Sequence, residues 1–71
     1  MTFAREMQVK QRVNEIRSPM TGVRFHVYET GDARYYLFRV LDPWGCEGGV
    51  EFPVRKADLT RDARRALRGG R

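Results

Sequence analysis

Val23-Arg24-Phe25-His26-Val27-Tyr28, followed after Glu29-Thr30-Gly31-Asp32-Ala33 by Arg34-Tyr35-Tyr36-Leu37-Phe38-Arg39-Val40-Leu41, is the stretch that decides the fold. In the first segment Val23, Phe25 and Val27 fall on one side, with Arg24, His26 and Tyr28 on the other. In the second, Tyr36, Phe38 and Val40 share one side, and Tyr35, Leu37, Arg39 and Leu41 the other. Alternation with period two is the mark of half-buried strands. The segment Val50-Glu51-Phe52-Pro53-Val54 repeats the pattern, with Val50, Phe52 and Val54 as its apolar set.

Gly31-Asp32 suits a two-residue hairpin loop, with glycine where positive φ is needed. That loop pairs Thr30 with Ala33, Val27 with Tyr36, Phe25 with Phe38 and Val23 with Val40. Every apolar residue then meets an apolar residue, whereas a one-residue slip would scatter the set over both faces. Asp42-Pro43 opens a longer second turn, and parity matches Val40 with Val50, Phe38 with Phe52 and Tyr36 with Val54. Pro53 has no backbone donor, which puts its strand at a sheet edge.

Outside this sheet the pattern is helical. Leu59, Ala63, Ala66 and Leu67 form an i, i+4, i+7, i+8 stripe, Asp58 or Thr60 can cap it, and Gly69-Gly70 ends it. Toward the N-terminus Val9, Val13 and Ile16 fit a helical stripe stopped near Pro19, although Met7, Val9 and Val13 also share strand parity. The Gln, Lys, Arg and Glu between them favour helix. The expected architecture is α+β and a single small domain spanning residues 1–71. It has a three-stranded antiparallel sheet at about 23–28, 34–41 and 50–54, a C-terminal helix at about 59–68 and an N-terminal helix at about 3–17.

Seventy-one residues allow one core, and a chain this short buries only about 60% of its unfolded surface. No apolar run is long enough to span a bilayer, and Arg5, Glu6, Lys10 and Arg12 break any signal-peptide order. A lone Cys46 forbids an internal disulfide, and one Cys with one His cannot build a structural zinc site unless carboxylates or a second subunit help. No cofactor, no membrane contact and a cytoplasmic location are the expectations.

The formal charge of +5 is confined. Residues 55–71 hold Arg55, Lys56, Arg61, Arg64, Arg65, Arg68 and Arg71 against Asp58 and Asp62, while residues 1–54 balance to zero. A concentrated basic end is a footprint for phosphate or for an acidic protein surface. Arginine outnumbers lysine twelve to two, which fits a GC-rich genome as well as phosphate recognition. A charged helix side is also the ordinary solvated face.

Three constellations could carry chemistry. On the outer sheet face the hairpin register sets Tyr28 opposite Tyr35, His26 opposite Leu37 and Arg24 opposite Arg39. Aromatic and arginine side chains so interleaved can stack bases and hold phosphates. Against this, Glu51 falls beside Arg39 as an internal partner, and Leu37 with Leu41 suggests a second small core. The row Arg61, Arg64, Arg65 and Arg68 can follow a nucleic-acid backbone through forked donors. A three-stranded sheet followed by a helix is also the order of several folds that lay a sheet in the major groove, an analogy of topology alone.

Cys46 lies in a loop beyond the sheet end and His26 in mid-strand, so a nucleophilic pair is not expected. The glycines at 45, 48 and 49 lack the Lys-Ser/Thr of a phosphate loop. Trp44 either closes the core edge or, if exposed, offers a binding anchor.

No paired carboxylates or metal cluster stand out. The expectation is a non-enzymatic regulatory binding protein of transcription-regulator type, meeting DNA or RNA through Arg24, Tyr28, Tyr35, Arg39, Arg55, Lys56, Arg61, Arg64, Arg65 and Arg68. The alternative is a protein-binding regulator or inhibitor of the compact kind encoded by phages and mobile elements. It would press the basic end on an acidic surface and accept a strand at the edges Val23–Tyr28 or Val50–Val54. Oligomeric state is open at this stage.

Overall fold

A computed structural model describes residues 9–69. Four strands run as an antiparallel meander in the order β1-β2-β3-β4: β1 Val9–Arg17, β2 Arg24–Thr30, β3 Tyr35–Leu41 and β4 Glu47–Arg55. A 3-10 turn, Lys56–Asp58, leads to helix α1, Arg61–Gly69. The fold is α+β, as the alternation and the C-terminal stripe require. Among the described residues, no helix is long and apolar enough to cross a membrane.

The N-terminal helix expected at 3–17 is replaced by a strand where the chain is described, at 9–17; residues 3–8 lie outside the described residues. The misleading signal has a physical source. The pairing of β1 with β2 is irregular at Val9/Gln11 and again at Arg12/Asn14. Each irregularity inserts one residue and breaks the period of two. Val9, Val13 and Ile16 are thus spaced four and three apart, which imitates a helix. Beyond the second irregularity Asn14 faces Val27 and Ile16 faces Phe25.

The first hairpin differs from the expected register by two residues. Phe25 faces Val40, Val27 faces Phe38 and Glu29 faces Tyr36. A slip of two keeps every side chain on its own face, so the apolar set survives the change. Loop chemistry explains it. Gly31 does not take positive φ, so the two-residue turn has no basis. Instead the Thr30 hydroxyl donates to the Asp32 carbonyl at 2.9 Å and accepts from the Asp32 amide at 3.1 Å, while Asp32 Oδ1 accepts from the Arg34 amide at 3.0 Å. These local bonds build a wider loop.

The second hairpin follows parity at Phe38–Phe52 and Tyr36–Val54, and Arg39 faces Glu51. The expected Val40–Val50 pair gives way to an irregularity after which Leu41 faces Glu47, and Gly49 there has φ +88°. Asp42 holds the turn, its Oδ1 accepting from the amides of Trp44 (3.0 Å) and Cys46 (2.8 Å). Pro53 does lie on an edge strand. Val23–Tyr28 does not form an edge, because β1 covers β2. The two real edges are blunted, β1 by its irregularities and β4 by Pro53.

Thr60 caps α1: its hydroxyl accepts from the Ala63 amide at 3.1 Å. The stripe Leu59, Ala63, Ala66 and Leu67 is half-buried on the sheet face that carries Val27 and Tyr36. Asn14 of β1 donates its side-chain amide to the carbonyl of Ala66 at 3.1 Å, which fastens the end of the helix to the first strand. The core is small. Val27 (0% exposed), Leu37 (1%), Phe38 and Leu41 are its buried apolar residues, and Phe25, Phe38 and Phe52 pack as a ring cluster with centroids 5.7–6.1 Å apart. Leu37 and Leu41 lie on the face opposite Phe38, so both sides of the sheet bury apolar area.

Candidate polyanion-binding surface

The revised register rearranges the outer sheet face. Tyr28 lies opposite Leu37 and His26 opposite Arg39, so the Tyr28–Tyr35 and Arg24–Arg39 oppositions are absent. A single carboxylate organises what replaces them. Glu47 Oε2 accepts from the Tyr28 hydroxyl and from His26 Nδ1 (2.7 Å), and Glu47 Oε1 accepts from Arg39 Nη1 (3.1 Å). A carboxylate only accepts, so Nδ1 carries a hydrogen, while Nε2 lies 3.1 Å from Arg12 Nη1 and 3.4 Å from Glu15 Oε1. Arg39 Nε also donates to Glu51 Oε1 at 2.9 Å, and its guanidinium lies 4.7 Å over the Tyr28 ring. Arg24 Nη1 meets Glu15 Oε2 at 3.3 Å.

The consequence is electrostatic closure. Arg39 and Arg24, both expected to receive an anion, already have internal carboxylates, and the Tyr28 ring face is covered by Arg39. The Glu51 partner foreseen from parity is present. Glu47, Glu15 and Arg12 were not foreseen. Each joins this face only because β1 is a strand and the β4 irregularity returns Glu47 to the sheet, and period-two reading shows neither.

The hydrogen bonds from Tyr28 and then His26, with the Arg39 contact behind them, hold the Glu47 carboxyl at about 2 from an ordinary 4.5, against the opposing cost of burial. The same bond raises the Tyr28 hydroxyl. A depressed carboxyl stabilises the fold above its unfolded pKa, and that stabilisation disappears as pH falls from about 4.5 through about 2. Asp32, held at about 2 by Arg34, titrates in the same window. Glu47→Gln is therefore expected to lower stability at neutral pH by about 1 kcal/mol, a partly exposed carboxylate being screened by solvent. The melting temperature should depend less on pH between 5 and 2 than in the unaltered chain. Melting curves followed by circular dichroism check this, and an unchanged acid profile would sink the assignment of Glu47.

The basic residues of the C-terminal part divide into two groups. Lys56 is engaged, with Nζ 3.1 Å from Glu29 Oε1 and 4.5 Å above the Tyr36 ring. Arg64 Nη2 donates to the Ala57 carbonyl at 3.1 Å, tying α1 to the 3-10 turn. Arg55 and Asp58 stand 4.0 Å apart, both well exposed. Tyr35 is paired across the sheet with Arg55 and lies under the Arg34 guanidinium at 5.7 Å.

Arg61, Arg65 and Arg68 are different. All are exposed, and among the described residues none makes a salt bridge with an acidic side chain. Their i, i+4, i+7 spacing puts them in one row opposite the apolar stripe, extending about 10 Å along the axis. Arg71 lies outside the described residues.

Cys46 is an exposed free thiol, and both ring nitrogens of His26 are occupied as above. Among the described residues no group of His, Cys, Asp or Glu side chains is placed to hold a metal ion. Trp44 is 84% exposed and Met20 92%. They belong to the β1–β2 and β3–β4 turns, which lie together at the sheet end away from the 3-10 turn, around a cleft lined by Thr21, Gly22, Asp42 and Pro43. Met20 had no signal in the sequence beyond a place in a turn. Known protein families, curated proteins and solved structures contain no match to the chain.

Proposed function

We propose that this protein is a small non-enzymatic regulatory module that binds nucleic acid through the arginine row of α1. The observation that carries the reading is the contrast between two sets of arginines. Two on the sheet, Arg24 and Arg39, are neutralised by Glu15, Glu47 and Glu51, while Arg17 at the end of β1 is exposed and stands apart from the helix row. Arg61, Arg65 and Arg68 present forked donors to solvent from one side of a helix. Arginine recognises phosphate through that fork, and a row of three supplies charge with direction. The sheet face supports the fold in this reading and is not the contact surface.

Binding driven by phosphate neutralisation releases counterions, so affinity falls steeply with salt. Three contacts give a log–log slope of roughly −3, or about 40-fold between 50 and 200 mM salt. Fluorescence polarisation with a labelled duplex and a labelled single strand tests this. Failure of both to bind at 50 mM salt would end the proposal.

The second reading is a regulator that meets an acidic surface on a larger protein, and the exposure of Trp44 and Met20 favours it. Tryptophan is a common interface anchor. A partner retained from lysate after nuclease treatment, and released by Trp44→Ala, would support this reading over the first.

A further inference from the structure

The basic end of the chain holds a cleft as well as a row. Arg34, Tyr35, Arg55, Lys56 and Ala57 line a space of about 470 Å³ where β3 begins and β4 ends, a size within the roughly 300–1,000 Å³ of ligand clefts. The sheet builds it. Tyr35 and Arg55 are directly paired, so their side chains share one side of the sheet. The Lys56 amide donates to the Arg34 carbonyl at 2.8 Å and closes the strand ends behind them. Asp32 grips the Arg34 guanidinium through two bonds, from Nε at 3.0 Å and from Nη2 at 2.8 Å, and so holds it beside the Tyr35 ring.

We infer, resting on the nucleic-acid reading above, that the ligand is single-stranded, with one unpaired base stacked on Tyr35 and an adjoining phosphate on Arg55. Charge selects an anion. No residue lining the cleft is acidic, and Asp58 meets Arg55 only at 4.0 Å, in a pair so exposed that solvent screens it and a phosphate can displace it. Lys56 keeps its ammonium on Glu29 and the Tyr36 ring, so the guanidinium groups of Arg34 and Arg55 supply the charge. Shape selects a base. Unpaired bases stack on aromatic rings and on guanidinium planes, and Tyr35 with Arg34 offers both.

Position sets the other described rings aside. Cations sit over Tyr28 at 4.7 Å and over Tyr36 at 4.5 Å, whereas Arg34 stands back from Tyr35 at 5.7 Å. Phe25, Phe38 and Phe52 pack on one another. Trp44 belongs to the β3–β4 turn, at the opposite end of the strands from Tyr35 and Arg55. Tyr35 is left as the ring that meets the basic end.

Ala57 joins the cleft to the helix, because its carbonyl accepts from Arg64 Nη2 at 3.1 Å, and Arg61 lies on the turn before Arg64. A strand leaving Arg55 along this end therefore meets the arginine row next. In a duplex the bases are stacked on each other, so a ring at a sheet end reaches one only after it has been flipped out. A single strand needs no such step.

Fluorescence polarisation with a labelled oligothymidine and a labelled abasic strand of the same length provides the test, since the two share phosphates and differ in bases. The unaltered chain should bind oligothymidine about 5- to 150-fold more tightly. Tyr35→Ala should lose that preference and bind the abasic strand as before, Tyr35→Phe should keep it, and Arg55→Gln should weaken both strands. Tyr35 is half-buried, so NMR on the unaltered chain covers a Tyr35→Ala that does not fold. Oligothymidine should move the signals of the Tyr35 ring and of Arg55, and the abasic strand those of Arg55 without the ring. Equal affinity for the two strands, an unchanged preference in folded Tyr35→Ala, or base-dependent shifts at Trp44 in place of Tyr35 would overturn the single-strand assignment and leave the nucleic-acid reading standing. A polyglutamate peptide that displaces oligothymidine as well as unlabelled oligothymidine does would overturn it too, in favour of an acidic protein segment. Binding of neither strand nor of a duplex would end the broader reading, and this one with it.

Discussion

Replacing Arg61, Arg65 and Arg68 together by glutamine is expected to abolish most nucleic-acid affinity at low salt and to flatten its salt dependence. Each lost phosphate contact removes about 0.9 from the log–log slope, so the triple variant should fall from roughly −3 to near zero. Glutamine and arginine have similar helix propensities, and all three positions are exposed, so circular dichroism should be unchanged. Arg39→Gln is the informative contrast. Arg39 is held by Glu47 and Glu51, so its loss should destabilise the sheet and leave the slope intact. If Arg39→Gln removed the slope while the helix variant bound normally, the sheet face would be the contact surface after all.

The largest effect on stability is expected at Leu37. Its side chain is 1% exposed on the face opposite Phe38, flanked across the sheet by Tyr28 and Pro53. Leu37→Ala removes buried methyl groups and leaves a cavity, at a cost of about 2–5 kcal/mol. A single core of this size rarely supplies more than 3–5 kcal/mol in total. The variant should therefore be largely unfolded, or close to it, at 37 °C. Val50→Ala, at an exposed position, should stay within about 0.5 kcal/mol of the unaltered chain. Urea midpoints measure both, and a Leu37→Ala midpoint near the unaltered value would show that the second face is not core.

How much was legible follows from what each residue had to disclose. Phe25, Val27, Phe38 and Phe52 alternate cleanly, so the existence of β2, β3 and β4 and their faces could be read directly. Parity cannot distinguish registers that differ by two, and the choice between them rested on Gly31. The decisive partners were Thr30 and Asp32, whose side chains bond their own loop. β1 was hidden because its irregularities erase the one period that identifies a strand. The row Arg61–Arg68 was visible, since helical spacing needs no partner to be recognised. What was not visible is which arginines are already neutralised, because Glu15 and Glu47 reach Arg24 and Arg39 only through the pairing of β1 and β4. The charge count thus located the basic end correctly and could not separate a closed network from an open one.

The bond from Asn14 to the Ala66 carbonyl joins residues 52 positions apart, whereas each strand of the meander pairs with its immediate neighbour in the chain. A nine-residue helix is too short to hold itself together in water. During synthesis the sheet can therefore assemble as soon as Arg55 is available, and α1 winds only when its stripe lands on that finished surface. In an unfolded chain the same arginines are loose charges on a coil. Their alignment in a row is a property of the completed fold, so loosening β1 should disperse the row without altering a single charge.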